Sequence, residues 1–278
     1  MSSHIYNAKY KAEVAKYGKK DAVIAICFFV YICALLFFAD AIAAWVVIGL
    51  DIAGTRTGAI VYVLAIALPM VVPVIAIILI RGQGLSSVGI HRKQLGAALG
   101  LGLVFSAIAI ILLYIGLLPG FIQGGQLLPF GIIMFWLLYT VILAAWEDIA
   151  FTGFIQPRLY GLIKHDILAV FTGGMMFAIM HIPFRLATVG PAAFNAYLLL
   201  EVAGWIGLHS IYNLVFRRYF SIFPVILLHT FINFSHGGRL WEHPRPAGLD
   251  ETISFIVIVL AVGTWAFYLR RKGAAAKS

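Results

Sequence analysis

The chain has 278 residues, 63% of them hydrophobic and only 11% charged, with a mean hydropathy of +1.00. So little charge could not cover the surface of a soluble domain of this length. The net charge of +9 is scattered over short segments beside apolar runs, which suits anionic lipid headgroups rather than nucleic acid.

Residues 1–21 read as a basic cytoplasmic arm, with Lys9, Lys11, Lys16, Lys19 and Lys20 among Tyr6, Tyr10 and Tyr17. Either a surface-lying amphipathic segment or a simple topogenic signal fits this pattern. Apolar runs able to cross a bilayer, which takes about 20 residues, follow at roughly 22–48, 58–80, 97–118, 129–155, 166–187, 193–216, 220–236 and 252–270. The expected fold is therefore all-α: one polytopic domain over 1–278 with about eight transmembrane helices. Ala41-Ile42-Ala43 has the look of a cleavage site. The run before it is too long for a signal peptide, so the first helix is expected to stay as an anchor. Cys27 and Cys33 lie on different faces of that run and form neither a bridge nor a metal pair.

If the N-terminus is inside, sixteen of the twenty Lys and Arg fall in inside segments, and only Arg56, Arg185, Arg239 and Arg245 fall outside. Both termini should then be cytoplasmic. Pro69 and Pro73 predict a kink in the second span, and Gly96, Gly100 and Gly102 open the third with small residues suited to close packing. The last outer loop, 235–252, is dense in polar residues and reads as a connector or a lid. No internal repeat suggests the inverted halves of a transporter.

Ionisable groups at membrane depth are expensive and mark function by default. The fourth span carries Glu147-Asp148, the fifth Phe177-Ala178-Ile179-Met180-His181, and the seventh His229-Thr230-Phe231-Ile232-Asn233. Adjacent helical residues point about 100° apart, so one acid is expected to face the site and the other a supporting partner. A carboxylate in apolar surroundings suits a general base acting on water. The i, i+4 spacing puts Phe177 and His181 on one stripe, with Arg185 one turn beyond, and stacks His229 and Asn233 as a plausible oxyanion cradle. His209 and Asn213, beside Glu201, repeat that spacing in the sixth span. Spacing alone does not separate the two pairs.

The order and context of these clusters resemble the CAAX protease and bacteriocin-processing family of intramembrane endopeptidases, which includes the Ras-converting CAAX enzyme. The stretch Glu147-Asp148-Ile149-Ala150-Phe151-Thr152-Gly153-Phe154-Ile155-Gln156-Pro157-Arg158-Leu159 looks like its first motif, and Ser221 to His229 like the approach to its last. That approach favours His229 over His209. The resemblance covers roughly residues 85–236, the expected catalytic core, and the eight-helix count agrees with the family fold. It implies that Glu147 and His181 activate the attacking water, while His229 and Asn233 stabilise the oxyanion. Asp148 takes the second acidic position and Phe177 precedes the first histidine in the motif.

Two departures stand out. Asp148 replaces the usual Glu, and Thr152 stands where the family usually has Arg. Thr152 can hydrogen-bond Asp148 but cannot neutralise it. Three explanations stay open: Arg185 substitutes, Asp148 is protonated, or the member is divergent. A metal also stays open, since Glu147, His181 and His229 make an acceptable zinc set with room for water, and a metal-free mechanism fits equally.

The expected activity is cleavage of a membrane-associated, lipidated or leader peptide, in the plasma membrane of a prokaryotic cell, with no nucleic-acid partner. A binding or immunity protein of the same fold and a proton-coupled transporter are the alternatives.

Overall fold

A computed structural model describes residues 7–91, 95–96, 99–100, 102–104, 128–190 and 196–236. These form a helical bundle: α1 (Ala8–Val14), α2 (Lys19–Gly49), α3 (Arg56–Ile80), a 3₁₀ turn (Leu85–Val88), α4 (Phe130–Asp148), a π-helical segment (Ile149–Ile155), α5 (Gln156–Leu159), α6 (Asp166–Val189), α7 (Ala196–Tyr219) and α8 (Phe223–His236). Five helical stretches are long and apolar enough to cross a membrane: Lys19–Ala39, Arg56–Ile80, Phe130–Leu159, Asp166–Pro183 and Leu198–Tyr219. This is the build of a multi-pass membrane protein. The expected seventh span is a shorter apolar helix, Phe223–Phe234. Most of the expected span 97–118, the span 252–270 and the loop 237–252 lie outside the described residues.

Helix ends and kinks follow from local chemistry. Thr55 caps α3 by accepting from the Gly58 N–H at 2.9 Å. Pro73 has no N–H to give to the Pro69 carbonyl one turn earlier. The Tyr31 hydroxyl of α2 donates to that carbonyl instead, at 2.8 Å, so the break in α3 is repaired by its neighbour. Exposed Val30, Phe38, Trp45, Leu79 and Phe130 give α2, α3 and α4 apolar outer faces suited to lipid.

Inside, α6 packs along α7 and α2, while α4 packs along α8 and α3. One apolar cluster joins Phe28, Ile32, Met70, Val74, Phe151, Phe154 and Phe177. A second joins Tyr10, Tyr160, Tyr212, Phe216, Phe220 and Val225. The π segment begins directly after Glu147-Asp148. Such widened turns are rare and cluster at functional sites. Gly153 makes room for the 3₁₀ turn, because a Cβ there would stand 3.0 Å from the Val88 carbonyl oxygen and 3.2 Å from its Cβ.

The N-terminal arm docks on protein. Asn7 caps α1 and donates its backbone N–H to the Arg217 carbonyl at 3.0 Å. Tyr10 is wholly buried, edge-on to Phe216 and Phe220. Arg158 and Arg217, counted above with the inside segments, are buried at helix ends. Arg158 donates to the Phe154 carbonyl and to Gln83 and lies over the Tyr17 ring. Arg217 reaches Asp166 at 3.2 Å, and the Tyr160 hydroxyl donates to the same carboxylate oxygen.

Candidate functional site

The last turn of α4 and the middle of α8 bring three ionisable groups together. Nε2 of His229 lies 3.5 Å from a Glu147 carboxyl oxygen, and Nδ1 lies 3.3 Å from an Asp148 oxygen. All three side chains are buried. The expectation that only one acid faces the site is corrected here. Two acids about 100° apart on the helix reach opposite edges of the same imidazole, because its nitrogens sit on different sides of the ring.

Each ring nitrogen therefore faces a carboxyl group, so an N–H on either nitrogen has an acceptor beside it.

Thr152, one turn into the π segment, donates to the other Asp148 oxygen at 3.4 Å. Arg185 pairs with Glu201 of α7 and not with Asp148, whose oxygens go to Thr152 and His229. Where the family pattern has an arginine, this chain offers Asp148 a hydroxyl and an imidazole.

His181 of α6 stands against Phe177. Its Nδ1 lies 2.8 Å from the Phe177 carbonyl oxygen. A carbonyl only accepts, so Nδ1 carries the hydrogen and Nε2 of the neutral ring keeps a lone pair. The ring is stacked on Trp205 of α7, 4.4 Å between centroids and 14° between planes. The Phe177 ring stands edge-on to both imidazoles, with centroids 5.0 Å from His181 and 6.2 Å from His229. Asn233 follows one turn after His229, partly buried near the end of α8.

The donor chemistry fits a metal poorly. Both nitrogens of His229 already face carboxyl groups, and among the described residues no three His, Cys, Asp or Glu side chains gather so as to hold an ion. The set Glu147, His181 and His229, left open for zinc, is not among the described residues arranged as an ion site, and no step below passes through a metal.

Several contributors were not legible in the sequence. Trp205 and Tyr212, whose ring lies 4.8 Å from that of His229, carry no motif signal and read as ordinary apolar-face aromatics. His209, set aside on context, lies in the same wall of rings: it stacks on Phe177 at 4.8 Å and 20°. A signal for it did exist, namely its i, i+4 pairing with Asn213.

A multi-pass helical bundle holding acids and imidazoles in its apolar interior is the frame in which the comparison with known families falls. Residues 129–235 match the family model described as Rce1-like, type II CAAX prenyl endopeptidase Rce1-like. The match spans α4 through α8 and is to the family that the motifs of this segment resemble. No curated protein matches the chain.

Proposed function

We propose that the chain is an intramembrane endopeptidase that cuts a peptide bond of a membrane-associated, lipidated or leader peptide, using a water activated by Glu147 and His181. The observation that carries this reading is His229 standing between the Glu147 and Asp148 carboxyl groups, with Phe177 edge-on to both His229 and His181. The match of residues 129–235 to the model of a protease family supports it.

In this mechanism Glu147, assisted by Nε2 of His181, takes one proton from the water as the water oxygen bonds to the scissile carbonyl carbon. The carbonyl π electrons move onto oxygen. An N–H of His229 and the Asn233 carboxamide donate to that oxyanion. The C–N bond then breaks, and the amine leaves with the proton held by the acid–base pair. The long contacts of His229 to its carboxyl groups leave its ring free to redirect an N–H once substrate is bound, since catalytic hydrogen bonds tighten on complex formation. We place the chain in the plasma membrane with both termini cytoplasmic, residues 1–278 forming one domain.

A second reading, a binding or immunity protein of the same fold without hydrolysis, is favoured by Thr152 and Asp148 in place of the family's arginine and glutamate. The test is processing of membrane peptides by Glu147→Ala, His181→Ala and His229→Ala variants that remain folded. Loss in all three supports hydrolysis, and intact processing in all three supports binding.

A further inference from the structure

The sequence holds a second buried polar cluster, outside the family's motifs, that touches the first. His209 is wholly buried on α7. Asn213, one turn on, donates to His209 Nδ1 at 2.9 Å, to the His209 carbonyl at 3.0 Å and, at 3.5 Å, to Oε1 of Gln156. Gln156 in turn donates to the Ala169 carbonyl at 3.0 Å. Three helices, α5, α6 and α7, are thereby tied to the orientation of one imidazole. Gly173 permits this: a Cβ there would stand 1.6 Å from Gln156 Oε1 and 3.5 Å from His209 Cε1.

What the ring does there is set by its neighbour. His209 lies flat on Phe177, the residue whose ring stands edge-on to both His181 and His229 and whose carbonyl fixes the tautomer of His181. We propose that His209, oriented by Asn213 and Gln156, is a positioning residue: it braces Phe177 and through it holds His181 with Nε2 as the free base. Packing alone would be met by a leucine at 209, whereas bracing Phe177 needs a flat ring there. An imidazole, which brings a buried Nε2 without a partner among the described residues, is explained by the need to lock the angle of a flat ring through Nδ1. A buried unmade hydrogen bond is otherwise unfavourable.

Only the activity arm of the test rests on the endopeptidase reading. The full chain, with nitrogen-15-labelled histidine, is placed in nanodiscs, and the His181 signals are assigned with His181→Gln. Wild type should show a single Nδ1–H tautomer for His181. His209→Leu paired with Asn213→Leu removes the flat ring without stranding the carboxamide. It should stay folded, give a mixed His181 tautomer, and lower kcat by about a hundredfold with little change in KM. His209→Phe paired with Asn213→Leu restores a flat ring and should recover the single tautomer and most of kcat. A folded leucine variant with an unchanged His181 tautomer overturns the proposal. If the leucine variant does not fold, His209→Phe alone decides: a tautomer identical to wild type supports bracing by the ring, and a mixed one contradicts it. Should wild type cleave nothing, the endopeptidase reading fails while the tautomer measurement still settles the role of His209.

Discussion

A Glu147 carboxyl oxygen lies 3.5 Å from Nε2 of His229, inside an apolar bundle and away from bulk water. Glu147→Gln keeps the shape and a polar contact to the ring but removes the base. Peptide processing should fall by about 10³-fold or more, near the upper range for loss of a general base, with the thermal transition within a few degrees of wild type. Asp148→Asn leaves the Glu147 contact intact and should reduce processing by about tenfold, read in the same assay.

Arg185 gives the opposite expectation. It pairs with Glu201, both side chains are partly exposed, and such pairs contribute about 0–1 kcal/mol. Arg185→Gln should leave stability nearly unchanged and processing within about twofold of wild type. A large loss of processing would place Arg185 in the support of Asp148 after all.

The docking of the arm depends on a backbone approach. A Cβ on Gly161 would stand 2.0 Å from the Gly18 carbonyl oxygen, at the joint between the arm and α2. Backbone cannot yield as a side chain does, so Gly161→Ala should destabilise by about 1–3 kcal/mol, as overpacking does. Limited proteolysis should then cut faster within residues 8–18, while histidine signals from the site stay in place.

His91 lies outside the spans, edge-on to Phe220 at 5.0 Å, and Phe220 packs on Tyr10. Burial, with Lys9 adding to it, holds its imidazole below the usual histidine range. A folded value below the unfolded one of about 6.5 gives a contribution complete above that unfolded value and lost as pH falls through the folded one. Hydrogen exchange in α1, corrected for intrinsic rates, should therefore be faster at about pH 5 than at pH 7.5. His91→Gln should abolish most of that difference.

Much of the bundle was legible because lipid imposes a simple code: long apolar runs at 58–80, 129–155 and 166–187 became α3, α4 with its π segment, and α6. The acids and histidines were legible for the same reason, being expensive there. Three features were not. A π turn at 149–155 has no composition signal distinct from an α-helix, so the convergence of both acids on His229 could not be anticipated. Arg158 and Arg217 count as loop charges on any hydropathy reading, yet cation–π contacts and carbonyls let them be buried. The arm reads as lipid-facing because its lysines dominate the sequence. Its docking depends on Tyr10 meeting rings some two hundred residues away, which local pattern does not encode.

The central claim is that Glu147 acts as the base for peptide hydrolysis within the membrane. Its most direct test compares the membrane-associated peptides of cells carrying wild type with those carrying a folded Glu147→Gln variant at equal abundance. The account predicts that at least one peptide pair, a precursor and its shortened product, shifts wholly to the precursor in the variant. Identical peptide populations in the two membranes would contradict it.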